Sequence, residues 1–275
     1  MFTITGAKKA LKQAIARNRR SAVVTALHRM ATFVDSAWNN EGADFDANGE
    51  RFVIQCLAPA ALRTAFDVGA NTGRWSRAAL TLWPQCHVHA FEVVPETCQE
   101  LARSLASSDH AARATAHDFG LSDSVGAQRM YFFPGHSELT SDIPRHDDYM
   151  AVPFEARLTT LDVFCRDEGI ETVDFLKIDV EGAEHRVLKG GHALVEEQKI
   201  ACIQFEYGAF SIDTHFLLKD YFTLLSPRYF IGKIFPNHVA FGDYTWRDEN
   251  FRFSNYLCVA KTRPDLRALI ERPGG

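Results

Sequence analysis

The stretch Phe66-Asp67-Val68-Gly69-Ala70-Asn71-Thr72-Gly73 constrains this chain more than any other, because it reads as an apolar strand passing through a glycine-bearing turn into a helix. In an open α/β sheet such a junction lies at the C-terminal end of a strand, where ligands bind. The spacing narrows the choice of ligand. A dinucleotide turn brings closely spaced glycines up to a doubly charged pyrophosphate. Here three residues separate Gly69 from Gly73, and a carboxylate, Asp67, stands two residues ahead of the first glycine. That carboxylate would repel a pyrophosphate but attract a sulfonium and an α-amino group. The turn therefore points to S-adenosylmethionine rather than NAD, with Asp67, Gly69, Asn71 and Gly73 as cofactor-binding candidates. Glu92 ends the next strand about 20 residues further on, the position from which an acid accepts ribose hydroxyls.

The pattern around the turn supplies a sheet. Apolar runs at Thr64–Val68, His87–Phe91, Arg113–His117, Val173–Ile178, Ile200–Phe205, Tyr229–Ile234 and Tyr256–Lys261 read as strands, and helix-length stretches such as Arg74–Trp83 and Glu96–Ser107 separate the first of them. This βαβ rhythm predicts a Rossmann-like α/β domain over residues 56–263, with a mostly parallel seven-stranded sheet and helices on both faces. The rhythm breaks between Leu121 and Thr160, where Gln128–Phe133 and Phe154–Leu158 look like extra strands around a loop rich in proline and glycine. An insertion at that point suits a substrate lid over 121–160, and His136 and Ser137 within it are candidate acceptor contacts. Residues 264–275 read as a C-terminal tail.

Residues 1–55 read as a separate extension. Lys8, Lys9, Lys12, Arg17, Arg19, Arg20 and Arg29 fall in residues 1–34 without an acidic residue, and Ala7, Leu11, Ala14 and Ile15 recur at helical spacing. A basic amphipathic helix of this kind packs on the core or a sister subunit, as in a homo-oligomer, or makes a peripheral contact with a membrane or an acidic partner. The net charge of -5 gives no reason to expect nucleic acid as a partner, so a small-molecule or glycan acceptor is the simpler expectation. Six scattered cysteines form no CxxC pair, which argues against a zinc ribbon or a disulfide framework and favours a cytoplasmic setting. No apolar run reaches the roughly 20 residues of a transmembrane segment.

Two further strand ends carry chemistry. After the third strand, Asp118 offers an acceptor for an adenine amino group and Phe119 an apolar face. The run Leu176-Lys177-Ile178-Asp179-Val180-Glu181-Gly182-Ala183-Glu184-His185 sets Lys177 and Asp179 on one side of a strand, and helical spacing would put Glu181 and His185 on one face of a following helix. Glu206 ends the next strand. If the two strands are neighbours, Asp179, Glu181 and Glu206 converge beside the methyl donor, with Asp179 serving the cofactor as well.

At these residues the chain resembles the FkbM-type methyltransferases. The resemblance rests on Asp67–Gly73, Phe91-Glu92, Leu121-Ser122-Asp123, Thr160-Leu161-Asp162, Leu176–Gly182 and Val187-Leu188-Lys189-Gly190, and it spans roughly residues 60–261. It implies a class I methyltransferase fold and O-methyl transfer from S-adenosylmethionine, commonly to sugar hydroxyls of glycans or glycosylated natural products. Such a transfer needs an aligned acceptor oxygen and a group to take its proton, and Asp179, Glu181, His185 and Glu206 are the catalytic candidates. A divalent metal is possible at the same acids. Lys177 and His185 would compete with its charge, which favours metal-free base catalysis. The alternatives are a non-catalytic cofactor-binding scaffold and an NAD-dependent oxidoreductase, the second lacking its pyrophosphate turn.

Overall fold

The computed structural model describes residues 4–107, 109–144 and 150–271. The chain divides into two compact units, Met1–Glu41 and Gly42–Gly275. The first holds two helices, α1 (Ile4–Arg17) and α2 (Ala22–Trp38), in place of the single basic helix expected from its composition. The break falls at Asn-Arg-Arg-Ser, where the Asn18 side chain bonds back to the Ala14 carbonyl and the Ser21 hydroxyl caps α2 by accepting from the Val24 N–H. Among the described residues no helix is long and apolar enough to cross a membrane.

The second unit begins with α3 (Glu50–Leu57), β1 (Thr64–Val68), α4 (Arg74–Leu82), β2 (His87–Phe91), α5 (Pro95–Ala106) and β3 (Ala114–His117). The insertion follows as β4 (Gly120–Ser122), β5 (Gly126–Phe132) and β6 (Val152–Thr160). The chain then returns through α6 (Leu161–Asp167), β7 (Val173–Ile178), α7 (Glu184–Gly190), α8 (His192–Glu196) and β8 (Ile200–Tyr207). It closes with α9 (Ser211–Thr214), α10 (Leu218–Leu225), β9 (Tyr229–Phe235), β10 (His238–Phe241), β11 (Ser254–Ala260) and α11 (Pro264–Glu271).

Eight of these strands form one sheet in the order β10-β9-β11-β8-β7-β1-β2-β3. The five from β3 to β8 run parallel, and β11, β9 and β10 extend the other edge in antiparallel pairs. The order reverses between β1 and β7, which is where ligands bind in open α/β sheets. Strand alternation sends Ala65 and Phe175 into one core with Val53, Leu57, Trp75 and Trp83, and sends Phe66, Val68, Leu176 and Ile178 into the other with Phe91 and Phe164. Both faces are covered, so the helices on each side follow from the near-continuous apolar strands.

Three expectations need correction. The sheet has an eighth strand, β10, which pairs with β9 through a tight hairpin and buries only Val239. Its four residues carry too little apolar pattern to be read alone. The extension ends before residue 42, because Val53, Ile54 and Leu57 of α3 are fully buried in the core of the second unit. The expected C-terminal tail is largely helical: α11 buries Leu266 and Ile270 against that same core. The insertion, by contrast, forms a separate three-stranded sheet in the order β4-β6-β5 that includes both strands expected there.

On the β2–β3 side, the rings of His89 and His117 stack 5.4 Å apart, their nitrogens meet at 3.1 Å, and Phe91 and Phe164 pack on them. Burial lowers both imidazoles from 6.5 to about 4. The folded state thus prefers the neutral rings, and their stabilising contribution is present above pH 6.5 and lost as the pH falls towards 4. Urea unfolding at a series of pH values should show wild type losing more stability over that interval than a His89→Gln variant.

Candidate active site

The centre of the site is a row of polar groups inside the sheet. Asp67 on β1 lies beside Lys177 on β7, and Lys177 beside Gln204 on β8, at matched register. The Lys177 ammonium donates to Asp67 Oδ1 at 3.2 Å and to Asp179 Oδ2 at 3.1 Å. Asp67 also accepts the Ser76 hydroxyl at 2.6 Å, and Gln204 donates to Glu50 Oε2 at 2.7 Å. Burial works against the Lys177 charge, but the carboxylates of Asp179, Asp67 and Glu50 outweigh it and hold the pKa above the usual lysine value. Asp67 is fully buried and does not line the cavity above, although its charge still acts on Glu92.

The strand ends over this row are drawn together by a close backbone approach. Gly69 turns with φ +79°, and a Cβ there would lie 1.8 Å from the Asp179 carbonyl oxygen. Only glycine permits both the conformation and the contact. The Asp179 N–H donates to the Val68 carbonyl at 3.0 Å and ties the two strand ends together. Beyond Asp179, Glu181 and Gly182 both take positive φ, and the Glu184 carboxylate folds back to accept the N–H groups of Val180 and Gly182. Helix α7 therefore starts at Glu184, and Glu181 stands in the turn before it rather than on a helical face shared with His185.

On the other side of the glycine turn, Glu92 accepts the Asn71 N–H through Oε2 at 3.0 Å and the Val94 N–H through Oε1 at 2.9 Å. Each oxygen retains acceptor capacity. Burial is the main cause that raises Glu92 to about 7. The insertion joins the turn through the Ser137 hydroxyl, which donates to Asn71 Oδ1 at 3.2 Å.

These groups enclose a cavity of about 230 Å³. Gly69, Asn71, Glu92, Ser137, Asp179, Glu181 and Glu206 of the expected site residues line it. One carboxylate oxygen from each of Asp179, Glu181 and Glu206 lies within 4.8 Å of the other two. Burial first, then the neighbouring charges of Asp179, Glu181 and Glu184, lift Glu206 well above the usual glutamate range.

Other expected residues lie elsewhere. Gly73 forms the N-terminal boundary of α4. Asp118 is exposed and pairs with Arg157 at 2.6 Å, while Phe119 packs among Phe91, His117 and Phe164. His136 sits beside Glu138 at 3.3 Å. His185 stacks on Phe216 with ring centres 4.7 Å apart, its Nδ1 lies 3.1 Å from the Gly182 carbonyl, and burial lowers its pKa.

The sequence reading missed Glu50, whose carboxyl lies on the cavity wall with its pKa raised by burial. A signal was present: Glu50 shares the stripe of Val53, Ile54 and Leu57 at helical spacing, an acid at the head of a buried face. With it, the described lining contains seven carboxylates, at Glu50, Glu92, Glu138, Asp142, Asp179, Glu181 and Glu206, and no lysine, arginine or histidine.

Residues 67–226 match the family model for the methyltransferase FkbM domain. The chain is 31% identical over 151 residues to methyltransferase sdnD of Sordaria araneosa, covering 45% of this chain and 58% of that protein. It is 28% identical over 140 residues to the 2-O-methyltransferase NoeI of Sinorhizobium fredii, covering 46% and 56%. It is 29% identical over 153 residues to the 31-O-demethyl-FK506 methyltransferase FkbM of Streptomyces tacrolimicus, covering 46% and 58%. The matched region thus spans little more than half the length of these curated relatives. Among solved structures, methyltransferase FkbM from Methylobacillus flagellatus aligns over 72% of this chain and 44% of its own, with 18% identity and a TM-score of 0.46.

Replacing Lys177 by Met should leave Asp67 as an uncompensated buried charge and cost about 3–5 kcal/mol in urea unfolding. An additional Asp67→Asn substitution should recover part of the loss. A single-variant cost below about 1 kcal/mol, the worth of an exposed pair, would overturn this account of the ion pair.

Proposed function

As this chain belongs to the methyltransferase FkbM family, we propose that it transfers a methyl group from S-adenosylmethionine to a hydroxyl oxygen of a sugar or related polyol. The observation that carries the reading is that, among the described residues, every charged group lining the cavity beside the glycine turn is an acid. Such a cavity attracts a sulfonium and an α-amino group and repels a pyrophosphate, so it fits this cofactor and not a nicotinamide dinucleotide. Glu92, with its spare acceptor capacity, would hold the ribose hydroxyls. Val93, Leu121, Met130 and Leu158 offer an apolar wall for the adenine, and Asp179 an anionic end for the amino acid portion.

When bound, S-adenosylmethionine supplies an electrophilic methyl group whose C–S electron pair leaves with sulfur as the new C–O bond forms. The protein's part is to align the acceptor oxygen and take its proton. Gln128, Ser137 and Thr140 line the cavity from the insertion, and their amide and hydroxyl groups suit a polyol acceptor under a lid. Two relatives carry oxygen positions, 2-O and 31-O, in their names, which supports oxygen as the nucleophile. At the other end, Asp179, Glu181 and Glu206 form an acidic cluster that would favour loss of the acceptor proton. His185 stacks on Phe216 and is absent from the described lining, so the proposal does not use it.

Calorimetry with S-adenosylhomocysteine tests the cofactor assignment. Glu92→Ala should weaken binding by about 1.5–3 kcal/mol for each charge-assisted hydrogen bond lost. Because hydroxyl donors favour the ionised carboxylate, wild-type affinity should rise as the pH increases through about 7 and then level off, and the variant should lack that rise. Unchanged affinity in Glu92→Ala would overturn the assignment. In a methyl-transfer assay with sugar acceptors, Glu181→Gln should cost about 10²–10⁴-fold in rate while leaving binding of S-adenosylhomocysteine largely intact.

A further inference from the structure

We propose that Asp179, Glu181 and Glu206 form a binding site for one hard divalent cation, Mg²⁺ or Mn²⁺, at the acidic end of the cavity. Three observations carry this. The first is geometric: each acid presents one oxygen within 4.8 Å of the others, so that small side-chain rotations would bring all three to the roughly 2.0–2.6 Å at which hard divalent cations bind oxygen.

The second is an orphaned polar atom. Glu206 is only 4% exposed, it lines the cavity, and its Oε1 has no hydrogen-bond partner among the described residues. A buried carboxylate oxygen without a donor costs free energy that a cation at this point would recover.

The third is charge. The ammonium of Lys177 is bonded to both Asp67 and Asp179, so this cation is already shared before Glu181 and Glu206 are counted. Among the described residues no lysine, arginine or histidine lines the cavity, and His185, expected to compete with a metal, stacks on Phe216 instead. The donor set is oxygen only, which selects a hard cation over zinc or copper.

The role of the ion rests on the transfer reading above. Three protein ligands leave coordination positions open towards the cavity. An acceptor hydroxyl at one of them would have its pKa lowered and release its proton to solvent or a neighbouring carboxylate as the methyl group arrives. The competing explanation is that Asp179 and Glu206 share a proton and no ion binds.

The test is titration of the chelator-treated full chain with Mn²⁺, followed by loss of the free-ion electron paramagnetic resonance signal, with and without S-adenosylhomocysteine. One Mn²⁺ per chain should bind, Mg²⁺ should displace it, and Glu206→Gln and Glu181→Gln should each weaken it by about tenfold or more, a range seen for altered metal environments. Circular dichroism and thermal melting establish that each variant is folded. If Glu206→Gln does not fold, Glu181→Gln, at the more exposed acid, decides the result.

Failure to take up Mn²⁺ by wild type that binds S-adenosylhomocysteine would overturn the metal site and leave the methyl-transfer reading standing. So would uptake that neither variant alters. Failure to bind S-adenosylhomocysteine would instead count against the transfer reading, while the Mn²⁺ titration would still decide the metal site.

Discussion

The buried ammonium of Lys177 is the interaction on which the site depends. It lies in the sheet at the strand-order reversal, bonded to Asp67 on β1 and to Asp179 at the end of its own strand. In a low-dielectric interior one cation cannot satisfy every acid around it. Asp67 is spent below, as a structural partner that also takes the Ser76 hydroxyl. Asp179 is shared, with its side chain partly open to the cavity. The Lys177 hydrogen bonds go to Asp67 and Asp179, while Glu181 and Glu206 add acidic groups to the cavity lining. The boundary between fold and site therefore runs through Asp179.

Backbone geometry keeps that boundary in place. The Cβ-free contact of Gly69 with the Asp179 carbonyl sets β1 and β7 close enough for the ion pair to bridge them. Glu184 then pins the Val180–Gly182 turn, which holds Glu181 at φ 55° despite its side chain. That conformation costs of order 1 kcal/mol for a non-glycine residue and persists because the surrounding hydrogen bonds over-determine it. The insertion adds a third attachment, since the Ser141 hydroxyl donates to the Glu181 carbonyl at 3.3 Å and Ser137 bonds Asn71. Both strand-end turns are thus contacted by the segment proposed as the lid.

Much of this was legible from residues alone, for identifiable reasons. The apolar runs of β1, β2, β7 and β8 alternate with helices at βαβ spacing, and the convergence of Asp179, Glu181 and Glu206 follows once β7 and β8 are neighbours. Elements too short to show a period were not legible, as with Gly120–Ser122 and His238–Phe241. Side-chain direction was the other blind spot. Asp67 looked like a cofactor ligand because its place before Gly69 is local information, whereas its capture by Lys177 depends on a residue 110 positions away. The helical face expected to carry both Glu181 and His185 is absent, because Glu181 stands in the turn before the helix. A start at Glu184 turns the imidazole towards Phe216. Glu50 lay outside every motif, and only its place on the α3 stripe distinguished it.

The same electrostatics that suit the cavity to a cationic occupant make it costly without one. Burial and mutual repulsion push Glu50, Glu92 and Glu206 towards protonation, so the folded chain carries acids that water would solvate better. A cation entering the cavity reverses the sign of that interaction. It lowers the carboxylate pKa values and binds only where the fold has assembled the acids, so that binding and folding stabilise each other. A sulfonium at the glycine turn and a divalent ion at Glu206 would act in the same direction on the acidic lining. Their charges would also repel each other across a short distance, which an anionic acceptor oxygen between them would relieve. On this argument the cavity is most complementary to the moment when the acceptor has lost its proton and the methyl group is in flight, the condition under which electrostatic preorganisation lowers a barrier rather than merely binding a ligand.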